Sequence, residues 1–377
     1  MTTIHVEASG KYDVLVEEGN LRKLGEYAAS CLGIKPVHGN EACENTEKNC
    51  ESKKTGKVGR KSVIISDDKV FPLYGKTAKV SLEEAGFDVL EYVFCAGEKS
   101  KTLKTYGEIL EFLCKNRVTR GDIIIALGGG VTGDLAGFVA ATYLRGIKFI
   151  QVPTTLLAMV DSSVGGKTAV DLEHGKNQVG CFYQPVLVLC DPACLETLPK
   201  EEYKCGCAEI IKYAILGNEE LFKKLAEKPV SEQYEEIIAE CVRMKRDVVE
   251  EDEFDTGKRQ LLNLGHSVGH AVETLSDFKT LHGQAVAIGT AVIARACAAK
   301  EICTEETKNK IIALLEKYGL PCEMPYNAKE TAAIMLNDKK MNGNTMNLIL
   351  PERIGLCKIE KVRADKLEEW LVAGGLK

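Results

Sequence analysis

Asp122-Ile123-Ile124-Ile125-Ala126-Leu127-Gly128-Gly129-Gly130-Val131-Thr132-Gly133-Asp134 is the stretch on which the fold turns. A short β-branched run ends abruptly in glycine, as a strand buried on both faces does, and the residues after it open a helix. Gly128, Gly130 and Gly133 have the spacing G-x-G-x-x-G. Glycines so placed let backbone approach a pyrophosphate, and the helix N-terminus adds donors and a positive dipole. A glycine turn between strand and helix is also a common structural device, and this one does not follow the first strand. Spacing alone therefore leaves a nucleotide role and a structural one open.

Outward from this turn the first half of the chain alternates. Strands are expected at Ile4–Val6, Val14–Val16, Val63–Ser66, Val89–Val93, Asp122–Leu127 and Phe149–Val152, with helices between them such as Leu103–Lys115. Such alternation implies an α/β fold with a parallel sheet covered by helices. Residues 36–60 interrupt it: the segment has almost no large apolar side chains and reads as a mobile surface insertion. Beyond Pro199 the pattern becomes helical, with Glu201–Leu216, Glu232–Glu251 and Ala285–Ala299, and a hairpin is expected near Asn342–Leu350, turning at Asn342-Gly343-Asn344. The division is into residues 1–199 and 200–377.

The bulk numbers exclude several classes. A chain of 377 residues suits two domains. A 45% apolar and 28% charged composition is that of a soluble globular protein, and no apolar run approaches the roughly 18 residues that cross a bilayer. Met1–Lys11 is polar with no apolar signal core, so a cytoplasmic protein is expected. A net charge of −6 argues against a nucleic-acid partner. It also means that any anionic ligand depends on a local cluster of Lys and Arg. The 15 cysteines are scattered without C-x-x-C pairs and read as reduced thiols without a role.

Of six histidines, three fall in one window: His266, His270 and His282. On a helix His266 and His270 are i, i+4 and share a face. A divalent metal takes such imidazoles with a carboxylate and an open position. Spacing does not reveal the carboxylate. Glu209 is a candidate, though with Lys212 three residues on the spacing by itself favours an ordinary surface ion pair. Asp67, at the end of an early strand, suits either a ribose diol or a helix cap.

Six blocks now carry a family: Gly128–Gly137 (GGGVTGDLAG), Gln151–Val170 (QVPTTLLAMVDSSVGGKTAV), Gly175–Gly180 (GKNQVG), Cys207–Tyr213 (CAEIIKY), Leu261–His270 (LLNLGHSVGH) and Leu281–Gly283 (LHG). In this order they resemble the 3-dehydroquinate synthases, over nearly the whole chain except 36–60. The resemblance implies an N-terminal Rossmann-like NAD-binding domain and a C-terminal, mainly α-helical domain for metal and substrate, with the active site between them. It implies metal ligation by Glu209, His266 and His282, with His270 facing substrate instead. NAD contacts implied are Asp67, Glu98, Lys101, Gly129, Gly130, Asp134, Thr154, Thr155, Lys176 and Thr197. Substrate contacts implied are Lys167, Lys176, Asn177, Arg259, Asn263, His270 and one of Lys339 and Lys340, with Arg145 reaching the neighbouring subunit's site in a homodimer. Asp161, Lys167, Lys212, Lys245 and His270 are the implied catalytic set. Two positions depart from the family's pattern: Asp255 stands where a Glu is usual, and Lys69 replaces an acidic or amide NAD contact.

The implied reaction converts 3-deoxy-D-arabino-heptulosonate 7-phosphate to 3-dehydroquinate and phosphate. It runs through NAD-mediated transient oxidation, phosphate elimination, reduction and intramolecular aldol closure, with zinc or cobalt as the metal. Rival readings are a cyclase acting on another sugar phosphate, a metal-dependent polyol dehydrogenase, and a non-enzymatic nucleotide-binding protein.

Overall fold

The computed structural model describes residues 1–34, 59–336, 341–342 and 344–377. The expected insertion, apart from Gly59 and Arg60, and both Lys339 and Lys340 lie outside the described residues, as does Gly343 of the expected turn. Two compact units form. One comprises Met1–Thr154 with Ser162–Glu196, the other Thr155–Asp161 with Thr197–Lys377. The sequence division places 155–161 with the first domain. They pack instead in the second unit, where Leu156 lies so close to Gly206 that a Cβ there would sit 2.5 Å from it.

The first unit is built on strands β1 (Thr2–Glu7), β2 (Lys11–Val16), β3 (Lys61–Asp67), β4 (Asp88–Phe94), β5 (Ile123–Gly128), β6 (Lys148–Pro153), β7 (Lys167–Leu172), β8 (Gly175–Phe182) and β9 (Leu187–Cys190). Seven of them form one sheet in the order β1-β2-β9-β6-β5-β3-β4, and β7 and β8 pair separately. All ladders of the large sheet are parallel except β1 with β2, an antiparallel hairpin at its edge. Alternation does not predict that exception. Three residues separate the two strands, too few for a crossover, so they must return antiparallel.

Ile123, Ile124 and Ile125 are all fully buried, so both faces of β5 are covered, which explains the uninterrupted apolar run. On one face Val63, Ile65, Ile124, Ala126 and Phe149 pack with Ile109 and Leu113 of the Leu103–Lys115 helix and with Leu135, Ala136 and Val139 of the Gly130–Thr142 helix. Strand order reverses at β3 and β5: β4 lies outside β3, while β6 and β9 follow on the far side of β5. At such a switch point the carboxyl ends of the strands border a crevice. Here those ends carry Asp67 and the Gly128-Gly129-Gly130 turn.

The second unit is mainly helical. Its long helices include Lys200–Gly217, Tyr234–Glu251 and His282–Ala299, with the shorter His266–Leu275. His282–Ala299 is apolar nearly all round and correspondingly buried. Met341–Asn342, Thr345–Arg353 and Leu356–Arg363 form a small antiparallel sheet. The expected hairpin is present in the Asn342↔Thr345 pairing, and the longer ladder joins Thr345–Arg353 to Leu356–Arg363.

Candidate active site and metal centre

Glycine packing brings the histidines of the second unit together. Gly265 precedes the His266–Leu275 helix with φ +76°, and a Cβ on it would meet Thr290 Oγ1 at 2.4 Å. A Cβ on Gly289 would lie 2.0 Å from the Gly265 carbonyl, and one on Gly283 would lie 2.2 Å from Cys205 Cα. Helix His282–Ala299 is therefore pressed against both the start of the histidine helix and the helix that carries Glu209. His266 and His282 ring centroids stand 5.2 Å apart as a result.

Glu209 is fully buried, and its Oε1 accepts no hydrogen bond. Two imidazole nitrogens face that oxygen, His282 Nε2 at 3.4 Å and His266 Nε2 at 3.7 Å. A tetrahedral ion with bonds of about 2.1 Å separates its ligand atoms by roughly 3.4 Å. Among the described residues, Glu209, His266 and His282 form a group whose ligand atoms lie within 4.8 Å of one another. The spacing fits a divalent ion, with Oε1 of the buried carboxylate turned toward the two imidazole nitrogens. The far side of each ring is also fixed. His266 Nδ1 donates to the Leu264 carbonyl at 3.0 Å, and His282 Nδ1 lies 3.6 Å from Glu273 Oε1. Both arrangements present Nε2 to the centre. His270, the i, i+4 partner that spacing suggests, is not in this group. Its ring lies 5.9 Å from His266 and 6.5 Å from His282.

The electrostatics follow from burial among opposite charges. Burial disfavours charge on His282, but Glu209 and Glu273 outweigh it and push its pKa up to about 10. The same carboxylates that hold a proton there would attract a cation. Burial likewise opposes charge on Glu209, yet Lys212 and His282 bring its carboxyl below the ordinary value.

Beside this centre lies a second cluster. Lys212 pairs with Glu209 Oε2 and stands 3.7 Å from Asp161 Oδ2. Lys245 donates to the Asp161 backbone carbonyl at 2.6 Å and to its Oδ1, which also accepts from Tyr213 OH at 2.9 Å. Despite burial, Lys245, Lys212 and Tyr213 hold the Asp161 carboxyl well below its usual range. Burial pulls Lys245 down to about 8, helped by Arg259 and Lys212 and opposed by Asp161. Arg259 is 2% exposed; its backbone N–H donates to Asp252 Oδ2 and its Nη1 to the Glu253 carbonyl. Asp252 also accepts from Thr256 and Gly257, so it shapes the loop that holds Asp255 at φ +60°. Asn263 closes the short Lys258–Asn263 turn just before Gly265.

The first unit gathers other expected residues. Lys101 is 3% exposed and bonds Asp134 Oδ2 at 2.6 Å and Asn177 Oδ1. Glu98 Oε1 lies 3.7 Å from Lys101 and 4.0 Å from Lys176. Gly129 caps the Gly130–Thr142 helix without a side-chain bond, and first-turn N–H groups of such a helix can donate to an anion. Thr154, at the end of β6, has a buried hydroxyl with no protein partner. These features fit a dinucleotide. Asp67 Oδ1 accepts from the N–H groups of Lys69 and Val70, both at 3.0 Å, so this oxygen acts as a cap. Oδ2 lies 3.4 Å from Thr132 Oγ1. Arg145 and Lys167 are exposed on the first unit, whereas Thr155 and Thr197 belong to the second.

Residues 91–205 match the family model of the 3-dehydroquinate synthase N-terminal domain, and residues 206–341 that of the C-terminal domain. The chain belongs to the 3-dehydroquinate synthase family. A family member from Streptococcus suis is 41% identical over 96% of both chains. Another, from Clostridium acetobutylicum, is 45% identical over 83% of this chain and 90% of its own. Among solved structures, a 2-deoxy-scyllo-inosose synthase complexed with carbaglucose-6-phosphate, NAD+ and Co2+ matches with TM-score 0.82 at 25% identity. That match covers 98% of this chain and 99% of the other.

Sequence reasoning misses Tyr213, Glu273 and Asp252. Tyr213 lies inside the quoted CAEIIKY block, and Glu273 follows His270 by one helical turn. Neither spacing announces its partner, because Asp161 and His282 come from other elements.

Proposed function

We propose that the chain converts 3-deoxy-D-arabino-heptulosonate 7-phosphate to 3-dehydroquinate and phosphate, as an NAD- and metal-dependent lyase of aromatic amino acid biosynthesis. The observation that carries this reading is the Glu209–His266–His282 group beside buried Lys212, Lys245 and Arg259, in a chain of this family. When bound, NAD supplies a reversible hydride acceptor and a zinc or cobalt ion supplies a Lewis acid for adjacent hydroxyls.

Glu209, His266 and His282 would hold the ion, two neutral imidazoles and one carboxylate leaving room for substrate oxygens. Asp67, Glu98, Lys101, Gly129, Gly130, Asp134, Thr154, Thr155, Lys176 and Thr197 would line the dinucleotide. Lys212, Lys245 and Arg259 are buried cations there, and local cations of this kind draw an anion into a chain whose overall charge is −6. Arg259, Asn263 and His270 supply donors for the substrate's carboxylate, and Lys167, Asn177 and one of Lys339 and Lys340 for its phosphate and hydroxyls. Lys245 is suited to move a proton near neutral pH, since burial holds it close to 8. The substrate's phosphate serves as base for the elimination. The enzyme works in the cytoplasm as a homodimer, with Arg145 completing the site of the other subunit.

The test is incubation of enzyme, NAD and Zn2+ or Co2+ with the heptulosonate phosphate, following phosphate release and NADH absorbance together. Stoichiometric phosphate without accumulated NADH is expected. NADH accumulation would mean a dehydrogenase, and faster turnover of a sugar phosphate without a carboxylate would mean another cyclase.

A further inference from the structure

The Tyr213 phenol is fully buried, sits in the middle of the charged network, and has no task in the reaction as described so far. Its hydroxyl donates to Asp161 Oδ1 at 2.9 Å. Burial and the neighbouring carboxylates keep it protonated, so it acts as donor and not acceptor. Its ring lies under Lys212, whose Nζ is 4.9 Å from the ring centroid. Asp161 ends the segment Thr155–Asp161 on a single π-helical turn, Ala158–Ser162, a local structure that does not fix a side chain by itself. Its carboxylate must nonetheless present one oxygen to Lys245 and the other to Lys212.

We propose that Tyr213 is a positioning residue of the reaction centre, its hydroxyl anchoring Asp161 so that the carboxylate holds Lys245 and Lys212 in register with the substrate. This rests on the function proposed above. A neutral donor suits the place. A further cation would add positive charge beside Lys212 and Lys245, and an apolar side chain would leave Oδ1 to Lys245 alone.

Sharing Oδ1 has a chemical consequence. Each donor weakens the oxygen as an acceptor for the other, so the tyrosine limits how strongly Asp161 holds the Lys245 proton. Among the described residues, the charged groups that act on Lys245 are Asp161, Arg259 and Lys212. Asp161 is the anion bonded to it, so the link between Tyr213 and Lys245 runs through Asp161.

Tyr213→Phe removes the hydroxyl and keeps the ring over which Lys212 lies. With metal and NAD bound, kcat is expected to fall about tenfold, the scale of one hydrogen bond to a charged group. KM should change less than twofold, and metal content should stay at the parental value. The alkaline limb of kcat/KM should move up by about half a pH unit, because Asp161 then serves Lys245 alone. Parental kcat with an unmoved limb would overturn the proposal. In an Asp161→Ala chain no acceptor remains for the phenol, so adding Tyr213→Phe should lower kcat no further. An equal loss in both backgrounds would show that the hydroxyl serves only the fold. If the Phe variant melts below the assay temperature, Asp161→Asn alone decides. Losing its anion must move the Lys245 limb to lower pH, and an unmoved limb would refute the anchoring. Failure of the parental enzyme to release phosphate would count against the function and not against Tyr213.

Discussion

Gly289→Ala tests whether helix packing sets the metal centre. The added methyl carbon would lie 2.0 Å from the Gly265 carbonyl oxygen, 2.9 Å from Gly265 C and 3.0 Å from Gly269 N. All three are backbone atoms, so no rotamer change relieves the clash. Ordinary contact begins near 3.4 Å, and the two segments must separate by about 1.4 Å. Gly265 is followed directly by His266, and Gly289 lies on the helix that His282 begins. Whichever backbone moves, one imidazole leaves its place relative to Glu209, where the separations are now 3.4 and 3.7 Å. Metal bonds tolerate errors of about 0.2 Å. We expect affinity for Zn2+ or Co2+ to fall by at least about 10–100-fold, the range seen when the shell supporting a metal ligand is disturbed. Overpacking should also lower stability by about 1–3 kcal/mol. The assays are metal titration of the apo protein by calorimetry, the visible spectrum of the Co2+ form, and a thermal melt. Gly107→Ala is the control: nothing lies within 4 Å of the new methyl, and a helix-interior glycine is removed. It should be neutral or stabilising by about 0.5–1 kcal/mol with metal binding intact. Parental metal affinity in Gly289→Ala would refute the packing argument.

Three further outcomes are expected. His266→Ala should lose bound metal, whereas His270→Ala should keep it and turn over more slowly; elemental analysis of the purified variants decides, and equal metal loss would contradict the grouping. Lys245 has its pKa lowered to about 8, so it sheds its proton as pH rises through that value, and KM for the doubly anionic substrate should climb on the alkaline side. That limb should vanish in Lys245→Gln; its persistence would assign the titration elsewhere. Mixed after subunit exchange, the inactive variants Arg145→Ala and His266→Ala should regain part of the parental activity if Arg145 serves the partner's site, and no recovery would remove the shared site.

Much of this protein is legible in one dimension because some constraints are local. The burial of Ile123, Ile124 and Ile125 on both faces of β5 is written as an unbroken apolar run, and the end of that strand as glycine. The helix Leu103–Lys115 is read to the residue, since Thr102 caps it and its apolar face has a helical period. The hairpin of β7 and β8 is not legible. It leans on the Gly130–Thr142 helix, where a Cβ on Gly137 would fall 2.5 Å from Thr168, and that support comes from another element.

For the site, composition and order sufficed to gather histidines and to call for a carboxylate. They could not say which nitrogen atoms converge. The i, i+4 rule puts His266 and His270 on one face of a helix, but a metal counts distances to all its ligands at once. Glu209 and His282 come from two other helices, whose approach is set by glycines at 283 and 289. Asp67 reads in the sequence as facing ribose or capping the backbone, and where the chain turns after β3 gives its Oδ1 to the cap. Asp161 reads as part of the first domain, yet Lys245 and Tyr213 draw it into the second unit. Local pattern therefore determined the elements and the types of chemistry available. Tertiary packing decided which side chains share a charge, because electrostatic partnership depends on distances across elements that no sequence spacing records.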